Sequence, residues 1–338
     1  MTDAMLRRVS DTIARARRVL VTSHPSPDGD AVGCIVATAL ALEGRGQTVV
    51  AYNPDPIPRR FRFLEGSERI TSALPAEPCD VTVVLDCSDS RMFPGGEPPW
   101  HLLGTVLVID HHKTQGSLGH LVYRDPSAAA VGVLLHRVFS YLAVELTVPV
   151  AEALYCSILS DTGSFRYQNT DPEAMRVAAE LLEVGVDPWR VASHIYETRP
   201  KGELELLALV LRTLQVAGDG MAASLTVSPE MLTETGCTSD MVDGFINYAR
   251  GIDGVEVAVL LRPDPGGVRV SMRSRGTVDV SEIAQQFGGG GHRNAAGCTL
   301  PLGMGEVRAQ VFEAVGQYCR DAGLLPRNGG GNGGGGIA

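Results

Sequence analysis

The chain has 338 residues, 44% hydrophobic and 20% charged, with a formal net charge of −10. That length suits about two domains that bury their own cores without staples. The acidic balance excludes tight wrapping of long duplex nucleic acid, which rests on many Lys and Arg contacts to phosphate, but not a small phosphorylated ligand, because bound cations reverse the local field. The seven cysteines (34, 79, 87, 156, 237, 298 and 319) contain no CxxC pair, so neither a disulfide framework nor a zinc knuckle is expected. The N-terminus lacks the apolar core of a signal peptide, and the longest apolar run, residues 31–42, is too short to span a bilayer. These features predict a cytoplasmic protein with no membrane contact.

In chain order, an amphipathic helix of about 12 residues leads into a strand at 19–23. A Pro/Asp/Gly loop follows, then a small-residue helix at 31–43 and a strand at 48–52. After the breaker-rich NPDPIP come strands near 81–86 and 105–110, then helices near 128–141, 150–160 and 173–184. Strands alternating with helices predict an α/β fold, a parallel sheet flanked by helices. Residues 186–215 read as helical apart from their prolines and connect the domains, with the boundary near Arg199. Beyond it come a strand at 221–227, a helix at 239–248, and strands at 255–261 and 268–274 joined by PDPGG. A helix at 280–287, a glycine run and a last helix at 306–319 complete a smaller α+β unit. The resulting division is 1–185, a helical linker 186–205, 206–325, and a Gly-rich tail 326–338 that cannot bury anything and is expected to be disordered.

Three apolar runs end on metal-ligand chemistry. VLVTSH ends at His24 and continues to Asp28 and Asp30, VTVVLD ends at Asp86, and TVLVID ends at Asp110 before His111 and His112. The helical AEALYCSILSD ends on Asp161. A lone Asp after a strand is ordinarily a turn or cap residue. Three strand ends that agree are a different matter, because open parallel sheets bind ligands at the carboxyl ends of their strands. Asp28, Asp30, Asp86 and Asp161 supply about four negative charges, enough to neutralise two divalent cations, with His24 and His111 completing the shells. Carboxylate and imidazole without thiolate favour Mn²⁺ or a similar ion. Two such ions about 3.5–4 Å apart can clamp both the attacking and the leaving oxygen at phosphorus.

HPSPDGD (24–30), LDCSD (85–89), IDHH (109–112) and SDTGSFRYQNT (160–170) resemble, in order and spacing, the motifs of the DHH phosphoesterase superfamily. FGGGGHRNAAG (287–297) resembles the signature of its C-terminal DHHA1 domain. The resemblance runs from about residue 19 to residue 319 and is nearest to the nanoRNase and 3′-phosphoadenosine-5′-phosphate phosphatase subgroup. It implies an N-terminal DHH catalytic domain and a DHHA1 substrate-binding domain, with substrate between them. One metal would take His24, Asp28 and Asp86. The other would take Asp30, Asp86, His111 and Asp161, with Asp86 bridging. Asp110 would orient a histidine, and His112 would face the scissile phosphate as general acid or electrostatic stabiliser.

In VRVSMRSR, Val268, Val270 and Met272 share one strand face and Arg269, Ser271, Arg273 and Arg275 the other. Arginine forks grip phosphate, and glycines let backbone N–H groups approach it closely. The resemblance carries Arg273, Arg275, Gly289, Gly290, Gly291 and His292 over as the grip on the substrate's far phosphate and nucleotide. Arg269 is expected to be solvated, Arg293 has no assigned role, and Arg91 is within reach of substrate. Phe165 and Tyr167 are expected to pack in the core rather than stack bases. Over residues 200–325 there are fifteen Asp and Glu against ten Lys and Arg, so a local basic patch suits a substrate of a few nucleotides. The expected ligands are short oligoribonucleotides, linear dinucleotides such as pApA and pGpG, and 3′-phosphoadenosine 5′-phosphate. Two rivals stay open, a cyclic-dinucleotide phosphodiesterase and a nucleotide sensor that does not hydrolyse. Whether the chain forms a homodimer is also left open.

Overall fold

The structure, a computed structural model, describes residues 2–87, 93, 97–112, 116–242 and 244–324. Arg91 and the expected tail lie outside these residues. The chain divides into two units between Thr198 and Arg199. Among the described residues, no helix is long and apolar enough to cross a membrane.

The first unit contains α1 (Thr2–Arg15), β1 (Arg18–Thr22), α2 (Gly29–Gly44), β2 (Thr48–Tyr52), β3 (Val81–Leu85), α3 (Trp100–Leu103), β4 (Thr105–Asp110) and β5 (Leu121–Arg124). It continues with α4 (Val131–Tyr141), α5 (Val148–Asp161), α6 (Pro172–Val184) and α7 (Pro188–Ala192). Its five strands are all parallel, in the order β2-β1-β3-β4-β5. Strand order reverses between β1 and β3, and such sheets take ligands beyond the carboxyl ends of the strands at that point. Helices lie on both faces, unequally. Val19, Val21, Val83, Leu85, Leu107 and Ile109 pack beneath α2, α4 and α5. Leu20, Val84, Val106 and Val108 are covered by Leu103 of α3 with Cys79, Phe93 and Leu118.

Small residues let α2, α4 and α5 approach closely. A Cβ on Gly33 would lie 2.4 Å from the Ala153 carbonyl oxygen, and one on Gly132 would lie 2.2 Å from Ser157 Oγ. Both distances are too short for any side chain, so the three helices meet at Ser157. The unexpected strand is β5, four residues long, which pairs Asp110 with Arg124. The connecting segment is not one helix. After α7 a π-turn runs over Ser193–Glu197, and the chain breaks before Pro200, which disfavours helical backbone at the residue preceding it.

The second unit contains α8 (Lys201–Leu211), β6 (Gln215–Val216), β7 (Ala222–Thr226), α9 (Pro229–Thr235), α10 (Ile246–Arg250), β8 (Val257–Asp264) and β9 (Gly267–Ser274). α11 (Val280–Gln286), β10 (Gly290–His292), β11 (Ala295–Leu300) and α12 (Met304–Asp321) follow. Its mixed sheet runs β10-β11-β9-β8-β7-β6, with only β7 and β8 parallel. The helix expected at 239–248 is split into a short 3-10 turn and α10, because Gly244 takes a left-handed φ of 94°. Helices α11 and α12 cover the Val268, Val270 and Met272 face. On the opposite face, α8 and α10 pack over β7 and β8, and Arg269, Ser271 and Arg273 of β9 keep solvent contact.

Candidate metal centre

The loop after β1 curls because Asp28 caps α2: its Oδ1 accepts the Ala31 N–H at 3.0 Å. The loop is pinned from the side as well. Asn53 Nδ2 donates to the His24 carbonyl at 3.0 Å, and the Ser26 N–H donates to Asp55 Oδ2 at 2.6 Å. Ser26 takes a left-handed φ of 54° here, and so does Asp86 directly after β3. Non-glycine residues in that region are strained by roughly 1–3 kcal/mol and cluster at functional sites. Ser164 and Phe165, just past Asp161, share the conformation.

Asp86 stands in the middle of the donors. Its Oδ2 lies 3.5 Å from His24 Nε2, and its Oδ1 lies 3.5 Å from His111 Nε2 and from His112 Nδ1. His24 Nε2 is also 3.9 Å from Asp28 Oδ1. His111 Nε2 is 3.6 Å from Asp161 Oδ2 and 3.9 Å from Asp30 Oδ2. Both imidazoles are held at their other nitrogen. His24 Nδ1 donates to the Pro25 carbonyl at 2.8 Å and His111 Nδ1 to that of Ala128 at 3.1 Å. Those bonds fix the tautomer and leave each Nε2 lone pair for a cation. Within 4.8 Å of one another, ligand atoms form the groups His24/Asp28/Asp86, Asp30/His111/Asp161 and Asp86/His111/His112.

The donor set fits divalent cations on two grounds. Asp86 Oδ1 is buried without a hydrogen-bond partner among the described residues, an arrangement that is expensive unless a charge answers it. The protonation pattern agrees. Burial alone favours neutral imidazole at His24, but the hydrogen bond with Asp86 and the charge of Asp28 outweigh it and raise its pKa to about 10. At His111, burial is likewise overcome, here by the charges of Asp86, Asp161 and Asp30, and the pKa rises to about 9. Burial and the Asp86 charge push Asp30 up to about 6. Burial and the Asp30 charge push Asp161 well above the carboxylate range. Asp86 is pushed up by burial, yet the three histidines hold it below its usual value. Protons occupy a cluster whose crowded carboxylates call for cations.

Asp110 is fully buried and holds His112 through Oδ1, which accepts Nδ1–H at 2.5 Å and the His112 backbone N–H at 3.1 Å. Burial depresses the basicity of His112, and the hydrogen bond with Asp110 together with the Asp86 charge more than restores it.

The structure thus brings His24, Asp28, Asp30, Asp86, Asp110, His111, His112 and Asp161 to one edge of the first unit. The expected substrate residues lie in the second unit. Arg273 is half-buried, with Nη1 on the Met272 carbonyl at 3.0 Å. Arg275 falls one residue past β9, and its guanidinium donates to the carbonyls of Arg250 at 3.1 Å and Gly251 at 3.4 Å. The glycine run is not a loop throughout. Gly288 takes a left-handed φ of 72° after α11, and Gly290 and Gly291 enter the edge strand β10. Gly289 passes so near β11 that a Cβ would meet the Gly297 carbonyl oxygen at 2.2 Å. In register, His292 pairs with Ala295, which pairs with Arg273. Arg293 is tied to the carbonyls of Gly276 and Thr277. Phe165 packs on the core, with its ring centroid 6.1 Å from that of Tyr155, whereas Tyr167 is 37% exposed and does not join the core as expected. Sequence reasoning missed Ser157, which donates to Asp30 Oδ1 at 2.6 Å, and Asn169, which reaches Asp161 Oδ2 at 3.3 Å. Asn169 lies inside a motif, while nothing in the sequence marks Ser157.

Residues 18–158 match the DHH family, N-terminal domain, and residues 221–321 match the DHHA1 domain. A Thermus thermophilus protein, the bifunctional oligoribonuclease and PAP phosphatase NrnA, is 37% identical over 310 residues, covering 91% of this chain and 92% of that one. The Bacillus subtilis protein of the same name is 24% identical over 302 residues, covering 86% and 91%. The crystal structure of an exopolyphosphatase-related protein from Bacteroides fragilis shares the fold, with a TM-score of 0.88 at 24% identity over 95% of this chain and 98% of that one.

Proposed function

The chain belongs to the DHH family, with a DHHA1 domain following the DHH domain, and on that premise we propose that it is a cytoplasmic phosphohydrolase using two divalent cations, Mn²⁺ foremost. Its substrates are short oligoribonucleotides and linear dinucleotides such as pApA and pGpG, cut to mononucleotides, and 3′-phosphoadenosine 5′-phosphate, dephosphorylated to AMP. The observation that carries the proposal is the carboxylate of Asp86, which presents one oxygen to His24 and the other to His111. One ion is assigned to His24, Asp28 and Asp86. The other is assigned to Asp30, Asp86, His111 and Asp161. When bound, the pair supplies Lewis-acid activation of water and charge neutralisation at phosphorus.

The chain's own residues do the rest. Asp86 keeps both positions in register. Asp110 holds the His112 ring at Nδ1, and His112 is assigned to protonate or stabilise the departing oxygen. In the second unit, the partly exposed face of β9 and β11 carries Arg273 beside the small residues Ala295 and Gly297. That surface suits a base and a phosphate, and Arg273, Arg275, Gly289, Gly290, Gly291 and His292 are proposed to hold the substrate's far end.

A turnover panel with Mn²⁺ tests the proposal. We expect mononucleotide from pApA and pGpG, and phosphate from 3′-phosphoadenosine 5′-phosphate. Turnover of cyclic dinucleotides alone would move the assignment to a cyclic-dinucleotide phosphodiesterase. Binding without turnover of any of them would make the protein a sensor.

A further inference from the structure

The backbone at the start of α4 contacts His111 and Asp30 directly and Asp161 through Asn169, three of the four residues assigned to one metal position. The Ala128 carbonyl accepts from His111 Nδ1 at 3.1 Å. The Ala129 carbonyl accepts from Asn169 Nδ2 at 2.9 Å, and the same Nδ2 lies 3.1 Å from the Asp161 carbonyl and 3.3 Å from Asp161 Oδ2. The Val131 N–H donates to Asp30 Oδ2 at 2.8 Å. The Gly132 N–H donates to Ser157 Oγ at 3.0 Å, and Ser157 in turn donates to Asp30 Oδ1 at 2.6 Å.

These contacts also answer a need of the helix. The residue before α4 is Ala130, which offers no side-chain cap. A helix start leaves unsatisfied N–H groups and a partial positive charge. Asp30 and Ser157, brought in from α2 and α5, fill that role. Residues 128–131 are 4% exposed or less, and there is no room for a side chain on Gly132, so this frame has little freedom to shift. The other position is built differently. Asp28 is over half exposed, and its loop is anchored by Asn53 and Asp55.

We propose that Ser157 and Asn169 are positioning residues that lock Asp30 and Asp161 to the amino end of α4, and that this lock sets the affinity of the Asp30/His111/Asp161 position alone, while the Asn53 and Asp55 anchors set that of the His24/Asp28/Asp86 position. The inference rests on the two-cation reading above. Partners of this kind, lying behind metal ligands, typically change affinity 10–100-fold.

The test is Mn²⁺ titration of the full chain, followed by calorimetry and by the electron paramagnetic resonance signal of free and exchange-coupled Mn²⁺. Wild type is expected to bind two ions; a single ion or none would overturn both this inference and the two-cation reading. In Asn169→Ala and Ser157→Ala, one binding step weakens by about 10–100-fold and the other stays within about twofold. In Asp55→Ala the opposite step weakens. At one Mn²⁺ per chain the exchange-coupled signal should fall in each variant for the opposite reason, with the melting temperature of metal-free Asn169→Ala near that of wild type. If wild type binds two ions but both sets of variants weaken the same step, or weaken both steps equally, the inference is wrong and the two-cation reading survives. Asn169 is exposed and Ser157 buried, so Asn169→Ala carries the test if Ser157→Ala fails to fold.

Discussion

Replacing His112 is expected to separate chemistry from metal binding. Asp110 holds its Nδ1. Replacing His112 with Gln is expected to lower kcat by about 10²–10⁴-fold while leaving Mn²⁺ affinity near wild type. Because His112 also sits in a ligand group with Asp86 and His111, a large loss of Mn²⁺ affinity in that variant would reassign it as a ligand. The raised pKa values make a second prediction at this scale. His24 and His111 keep their protons up to about pH 10 and 9 in the metal-free cluster, so cations must displace protons to bind. Mn²⁺ affinity should therefore rise with pH from 6 to 9. Calorimetry in buffers of different ionisation enthalpy should show more than one proton released at pH 7; no release would contradict the cluster's electrostatics. Asp28 shows how far single residues were legible. Its ordinary role as a cap is present, and the same Oδ1 that accepts a helix N–H faces His24, as the proposed ligand role requires.

The elements that place the proposed ligands were the legible ones, for a physical reason. Fully buried parallel strands read as unbroken apolar runs, and each run ended where a carboxylate or imidazole became useful. The short strand β5 and the glycine- and alanine-rich β11 carry no such signal; they are strands because a neighbour pairs with them. Ser157 was invisible because its partner Asp30 lies 127 positions away. Packing at this scale is testable through Gly33, where a methyl group would press on the Ala153 carbonyl. Gly33→Ala should destabilise the protein by about 1–3 kcal/mol, read as a lower denaturation midpoint; an unchanged midpoint would refute the close approach of α2 and α5. Arg137 of α4 ties three elements together, meeting Glu173 of α6 and Asp125 beyond β5. The hydrogen bond to Arg137 holds Glu173 below its usual pKa. At Asp125, burial pushes up, but Ser127 and Arg137 outweigh it and hold the carboxyl down. A depressed carboxylate stabilises the fold above its unfolded pKa and loses that contribution as pH falls. Glu173→Gln should thus cost about 1 kcal/mol at pH 7 and almost nothing near pH ~3. A penalty that grows on acidification would contradict the sign.

Across the whole molecule, a net charge of −10 disfavours long nucleic-acid strands, and the proposed grip on phosphate consists of the metal positions and a few arginines. Hydrolysis should therefore be fastest on substrates of two to five nucleotides and fall with length. The logarithm of kcat/KM should decline only shallowly with the logarithm of salt concentration, with a slope of about −1 to −2. A steep slope with preference for long strands would require an extended basic track. The central claim is that one two-cation centre, bridged by Asp86, serves both the diester and the monoester substrate. Asp86→Ala tests it most directly, assayed on pApA and on 3′-phosphoadenosine 5′-phosphate with Mn²⁺ in the same preparation. The account predicts that both activities disappear together, whereas loss of one with retention of the other would contradict a shared centre.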